Sequence, residues 1–215
     1  RGILLGGVTG VKPASVLIIG GGISGTEAAK MAVGLGARVT ILDTNKNRLI
    51  ELQKLFKNKV VCKLSSKQII EEEAIKSDLI IGAVLVASAK APKLITKNLL
   101  KSLKKGCVLV DIAIDQGGCF ETSKPTTHEN PVYMVDNVLH YCVANMPGAV
   151  PFTSTYALTN QTLPYLIEIA NKGWKLSAKE NPGLKSGINI VKGKVVHKNV
   201  SDAFNLKYFN IEELI

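Results

Sequence analysis

Gly20-Gly21-Gly22-Ile23-Ser24-Gly25 fits G-x-G-x-x-G, and an acid, Asp43, follows at about the twenty-residue spacing that a dinucleotide cradle uses. Each residue has a physical task. Gly20 permits a tight turn, Gly22 keeps no side chain between the backbone and a pyrophosphate, and Gly25 lets a following helix pack on the preceding strand. The phosphates would lie at a helix N-terminus, where free N–H groups and the macrodipole favour negative charge. A carboxylate at Asp43 could take both ribose hydroxyls of an adenosine and would repel a 2′-phosphate, so NAD is expected rather than NADP. A second acid, Asp115, stands in Ile112-Ala113-Ile114-Asp115-Gln116-Gly117-Gly118. There it could bind an amino group or steer a proton. An aspartate before glycines also caps its own turn, and the residues alone leave the two readings even.

The remaining chemistry-bearing residues read more plainly. His140 sits in a strand pattern beside Tyr141 and Cys142 and is expected to be a satisfied core histidine, whereas His128 and His197 are expected to be exposed bystanders. Asn145 could hydrogen-bond a cofactor amide or ribose, although an asparagine before Met146-Pro147-Gly148 needs no such role. Cys62, Cys107, Cys119 and Cys142 are far apart, form no C-x-x-C pair and have no histidine at metal spacing. Free thiols in a cytoplasmic protein, with no metal site, are therefore expected. No Ser-His-Asp set, HExxH or P-loop occurs.

These residues need a scaffold, and the chain alternates strand and helix patterns in the order that supplies one. Val16–Ile19 is an apolar strand, 26–32 a helix closed by Gly34 and Gly36, and Val39–Leu42 a second strand ending at Asp43. Asn47–Phe56 carries leucines at helical spacing, Lys59–Cys62 is a short strand, and Ser66–Ser77 is a helix with Ser66 as N-cap. Leu79–Leu85 is apolar on both faces, as a central parallel strand should be. Helix over Thr96–Leu103 and strand over Cys107–Asp111 follow, then short strands over Val132–Val135 and Leu139–Cys142. The pattern predicts an α/β fold: a doubly wound parallel sheet with ligands beyond the strand C-termini. Residues 1–150 are read as this NAD-binding domain. Ser154–Lys172 predicts a long helix kinked or broken at Pro164. With the glycine-punctuated tail, 151–215 reads as a helical C-terminal return belonging to an incomplete second domain.

Composition excludes several classes. A chain of 215 residues with 46% hydrophobic content can bury a substantial core, and its longest apolar stretch, Leu79–Ala89, is too short to span a bilayer. The net charge of +10 comes from scattered lysines and arginines; with only 5% aromatics there is little for bases to stack on, so no nucleic-acid partner is expected. The chain opens at Arg1 on a glycine-rich loop, Gly2–Gly10, and no substrate-binding half precedes the cofactor strand, which suggests a piece of a larger enzyme.

Several stretches are more distinctive than the cradle: Gly2-Ile3-Leu4-Leu5-Gly6-Gly7-Val8, Gly82-Ala83-Val84-Leu85-Val86, D-I-A-I-D-Q-G-G-C-F-E over Asp111–Glu121, Lys124-Pro125-Thr126-Thr127-His128, and H-Y-C-V-A-N-M-P-G-A-V-P over His140–Pro151. With Asn171-Lys172-Gly173-Trp174 they closely resemble the L-alanine dehydrogenase and transhydrogenase α-subunit family, along nearly the whole chain. The resemblance implies reversible, NAD-dependent oxidative deamination of L-alanine to pyruvate and ammonia, usually in a homohexamer. It implies that Gly20, Gly22, Ile23, Ser24 and Gly25 form the pyrophosphate loop, with Asp43 and Arg48 at the adenosine ribose. It places Ser65, Val84 and Leu85 at adenine-side and ribose contacts, and Ile112, Val143, Asn145 and Met146 on the nicotinamide side. Asp115 matches the catalytic aspartate. Ala87-Ser88 departs from the Pro-Gly usual in the family. The family's pyruvate-binding lysine, histidine and arginine belong to an N-terminal half not present here, so the isolated chain is expected to bind NAD weakly at most and not to turn over alanine. The rival readings are the NAD-binding subunit of nicotinamide nucleotide transhydrogenase, whose catalytic loop differs from A-I-D-Q-G-G, and an inactive NAD-binding remnant of a split gene.

Overall fold

A computed structural model of the chain describes residues 1–84 and 92–215. It divides into two compact units, Arg1–Met146 and Pro147–Ile215. In the first, β-branched and apolar runs form β1 (Ser15–Ile19), β2 (Arg38–Asp43), β3 (Val60–Leu64), β4 (Leu79–Gly82), β5 (Val108–Asp111), β6 (Val132–Val135) and β7 (Val138–Tyr141). Their order across the sheet is β3-β2-β1-β4-β5-β7-β6, parallel except for the antiparallel edge pair β6–β7. The fold is thus the α/β, Rossmann-like arrangement that the alternation predicts. The order reverses direction between β1 and β4, and the registers Ile19↔Leu42 and Ile19↔Gly82 bring three strand ends to one level. The chain diverges there to opposite faces, which opens a crevice for a ligand.

Both faces of the sheet are packed. On one, Leu17, Ile19, Leu42, Ile80, Leu109 and Phe120 meet Ile70, Ala74 and Leu100; on the other, Val16, Ile18, Val39 and Ile41 meet Ala29, Ala32, Leu52 and Phe56. Local caps set the helix starts. Asn45 accepts from Asn47 N and Arg48 N ahead of α2 (Lys46–Leu55), and Ser66 accepts from Ile69 N ahead of α3 (Lys67–Lys76). Thr96 caps α4, but this helix spans only Lys97–Leu100, shorter than its apolar pattern predicts. Ser102 N and Leu103 N bond to Leu99 O and Leu100 O, three residues back, which tightens and ends the helix. β4 likewise ends at Gly82, where the sequence predicts a strand to residue 85; Leu85, Lys90, Ala91 and the Ala87-Ser88 departure lie outside the described residues. Cys107, Cys119 and Cys142 are fully buried and Cys62 is half-buried; all four are free.

The second unit is built on α5 (Pro151–Glu180). Of the kink or break expected at Pro164, the break does not occur: the backbone dihedrals remain helical there. Asn160, whose carbonyl loses its partner to the proline, is exposed, and water can serve it. The helix breaks instead at Gly173, with φ 74° and ψ 153°, a region that side chains forbid. The Ser177 hydroxyl spans the break, donating to Gly173 O at 2.9 Å and Glu168 O at 3.2 Å. Beyond lie α6 (Pro182–Ser186), the hairpin β8 (Ile190–Val191) and β9 (Lys194–Val195), and α7 (Lys198–Phe204). Lys192 and Gly193, with φ 48° and 75°, make the hairpin's two-residue turn. His197 is not an exposed bystander: it is half-buried, and its Nδ1 has no hydrogen-bond partner among the described residues.

Candidate functional site

The crevice beyond β1, β2 and β4 is a cavity of ≈ 590 Å³, lined by Gly20, Gly22, Ile23, Ser24, Asp43, Ser65, Val84 and Ile112 together with Thr44, Ala83, Pro92, Leu94 and Ala113. Eight of the sequence-based candidates therefore meet at one place. The glycines act as their chemistry requires. Gly20 has φ 103°, and a methyl group there would lie 2.5 Å from Ala83 O. One on Gly25 would collide with Gly20 O, so this glycine lets α1 (Ile23–Gly34) press against the end of β1. Gly22 is different: a methyl there would meet nothing within 4 Å. It borders open space at a helix start that has no side-chain cap, so the first N–H groups of α1 remain available to an anion.

Asp43 is half-buried at the end of β2. Its Oδ2 accepts from Gly21 N at 2.7 Å and its Oδ1 from Asn45 N at 2.8 Å, which fix the carboxylate against the glycine loop while it borders the cavity. Arg48 does not line the cavity. Its guanidinium donates to Gly21 O at 2.8 Å, to Thr26 Oγ1 at 2.9 Å and to Glu51 at 2.8 Å. Thr26 in turn donates to Gly22 O at 2.7 Å. Arg48 thus braces the loop from behind. The bracing contacts join residues 22 or more apart, so no local pattern announces them.

Asp115, Asn145, Val143 and Met146 also lie outside that cavity lining. Asp115 is exposed on the 3₁₀ turn Ile112–Gln116, directly after β5, and its Oδ1 accepts from Asn145 N at 3.3 Å. Val143 is fully buried. His128 is exposed, as expected, but its Nε2 lies 3.1 Å from Asn145 O.

Sequence reasoning passed over Asp111, the residue that shapes the Asp115 loop. This buried carboxylate accepts from Ala113 N at 3.1 Å, from Cys119 N at 2.8 Å, from Phe120 N at 3.4 Å and from the Ser123 hydroxyl. Both ends of the 112–118 loop are thereby tied to one side chain. Lys93 holds the tip, donating to Gly117 O at 2.6 Å and Gly118 O at 2.8 Å. The Asp111–Ala113 contact is a local Asx pattern that a strand-terminal aspartate could have signalled; the others are long-range. His140 is a satisfied core residue, with Nδ1 3.1 Å from Val138 O and Nε2 2.8 Å from the Thr122 hydroxyl, and burial holds its pKa down. Burial and the neighbouring Asp111 push the Cys119 thiol far up, so it remains protonated and unreactive. Among the described residues no group of three or more His, Cys, Asp or Glu could hold a metal, and no helix is long and apolar enough to cross a membrane.

Residues 1–198 match the family described as alanine dehydrogenase/PNT, C-terminal domain. The whole chain is 54% identical to the alanine dehydrogenase of Halomonas elongata and 53% identical to that of Methanococcus maripaludis, and spans 58% of the length of each. A solved L-alanine dehydrogenase superimposes with a TM-score of 0.86 at 50% identity, over 95% of this chain and 56% of that one. A transhydrogenase from Sinorhizobium meliloti shares the fold, with a TM-score of 0.70 at 23% identity over 92% of this chain and 54% of that one. On the family match and the identities together, the chain belongs to the alanine dehydrogenase/PNT C-terminal domain family.

Proposed function

We propose that this chain supplies the NAD-binding part, and the reactive aspartate, of an enzyme that interconverts L-alanine with pyruvate and ammonia. The observation that carries the reading is the joining of Gly20, Gly22, Ile23, Ser24 and Asp43 around one cavity at the sheet's crossover. The residues present fit the cofactor: open space over Gly22 and the uncapped start of α1 suit a diphosphate, and the Asp43 carboxylate suits an unphosphorylated ribose. Bound NAD would supply the two-electron acceptor for the amino-acid Cα–H. Ser65 and Val84 would flank the adenosine end and Ile112 the opposite side of the crevice. Asp115 Oδ1 is engaged by Asn145 N–H, which leaves Oδ2 to accept from a substrate ammonium or to take its proton. Val143, Asn145, Met146 and Leu85 would complete the nicotinamide and ribose contacts.

The relatives extend well beyond the matched region, and the substrate's carboxylate and carbonyl would be held there; the chain by itself would then bind nucleotide without turning over alanine. A cytoplasmic setting suits four reduced thiols, and a homohexamer is the assembly to look for by light scattering. Calorimetry with NADH and NADPH on the folded chain tests the core of the proposal. Binding of NADH, weakened in Asp43→Asn, supports it; no heat at millimolar NADH overturns it. Alanine-dependent NADH formation after adding a separately expressed N-terminal half would establish the dehydrogenase. Hydride exchange between nucleotides would favour transhydrogenase, and silence with bound nucleotide would mark a remnant.

A further inference from the structure

His128 has no task in the account above, yet its surroundings hold it in one place. Thr126 forms a parallel bridge with Val143: Thr126 N donates to Cys142 O at 2.9 Å, and Ala144 N donates to Thr126 O at 3.1 Å. Beyond the bridge the Thr126 hydroxyl donates to Pro131 O at 3.0 Å and Asn130 N donates to Thr127 Oγ1 at 3.3 Å, closing the segment into a tight turn. This framework sets the His128 Nε2 3.1 Å from the carbonyl oxygen of Asn145. Asn145 itself has φ 53°, the left-handed region that asparagine tolerates better than most residues but does not prefer. In that conformation its N–H meets Asp115 Oδ1 at 3.3 Å.

We propose that His128 is a positioning residue, whose Nε2–H anchors the Asn145 carbonyl so that Asn145 keeps the left-handed conformation and offers its N–H to Asp115. The proposal rests on reading Asp115 as the reactive carboxylate. An exposed aspartate on a short turn rotates freely unless one oxygen is held. The bond to Oδ1 selects Oδ2 as the free oxygen, and a bond of this kind lasts only while the backbone dihedrals of the donor residue are held. Without His128 the carbonyl end of Asn145 is released, the residue relaxes towards negative φ and its N–H turns away. Because the anchor works through a main-chain oxygen, the requirement at position 128 is an N–H donor of similar reach rather than an imidazole.

Amide hydrogen exchange on the whole chain, without nucleotide or alanine, tests this. In His128→Phe the Asn145 amide exchanges about tenfold faster, the loss of a net hydrogen bond. His128→Gln restores most of the protection, while core amides such as Leu17, Ile18 and Leu109 keep their rates in both variants. Asp115→Ala gives the same acceleration, and adding His128→Phe to it produces no further increase, since both act on one bond. Unchanged exchange at Asn145, equal acceleration of the core amides, or failure of glutamine to restore protection overturns the proposal. With no cofactor in the sample, a failed NADH titration would sink the nucleotide reading and leave this measurement intact.

Discussion

Two carboxylates at strand ends do opposite work. Asp43 borders the cavity while its two oxygens hold Gly21 N and Asn45 N, so Asp43→Asn should keep one of these bonds and lose the charge that excludes a 2′-phosphate. We expect NADH affinity to fall about tenfold and the preference for NADH over NADPH to narrow, read by parallel calorimetric titrations. Asp111 is sealed inside and satisfies donors on Ala113, Cys119, Phe120 and Ser123. Asp111→Ala leaves them in a dry site, and we expect a loss of roughly 3 kcal/mol in urea unfolding. The contrast is instructive about sequence reading. Asp43 was legible because glycine turn, helix and acid sit in one short stretch whose backbone chemistry is local. Asp111, Lys93 and Arg48 were not, because the partners that tie them to the site, Ala113 and Glu51 apart, lie 8 to 27 residues away along the chain and only folding brings them together.

At the scale of elements, the parallel sheet and the N-caps at Asn45, Ser66 and Thr96 follow from alternation and local hydrogen bonding, whereas element lengths do not. α4 is cut short by three-residue bonds that no propensity encodes, and α5 passes Pro164 to break at Gly173. A proline in an exposed helix costs one hydrogen bond, which water can replace; a side chain at Gly173 would be forced into a forbidden region. The two sites should thus respond in opposite directions. Gly173→Ala should destabilise the Pro147–Ile215 unit by about 1–3 kcal/mol. Pro164→Ala should stabilise the helix, by up to about 3 kcal/mol. Thermal melts followed by circular dichroism at 222 nm (a wavelength for helix) would decide, as in any helical protein. A melt that ignores Gly173→Ala would mean the break is not imposed by the backbone.

For the molecule as a whole, acid should act in two stages. Burial lowers the His140 pKa from its usual 6.5, so the unfolded chain binds a proton first; stability is full above about 6.5 and declines as pH falls from there towards the folded value. Asp78 and Glu73 form the second stage. Burial alone would raise both, but Ser15 N–H, Lys104 and Arg1 around Asp78, and Lys63 and Lys76 around Glu73, hold the two carboxyls below their usual 3.8 and 4.5. Their contribution is complete above those values and disappears as pH drops through the lowered ones. Denaturant midpoints measured from pH 8 to pH 3 should show both limbs. His140→Gln should flatten only the limb that begins near 6.5; an unaltered profile would contradict the histidine assignment.

The arrangement of sulfur has a practical consequence. Burial pushes the Cys107 thiol up to about 11 and raises Cys62 and Cys142 as well, but only Cys62 is partly open to solvent. An alkylating reagent should therefore label one site promptly and the other three only when the sheet opens, so that the slow phase of labelling clocks the opening rate of the native state.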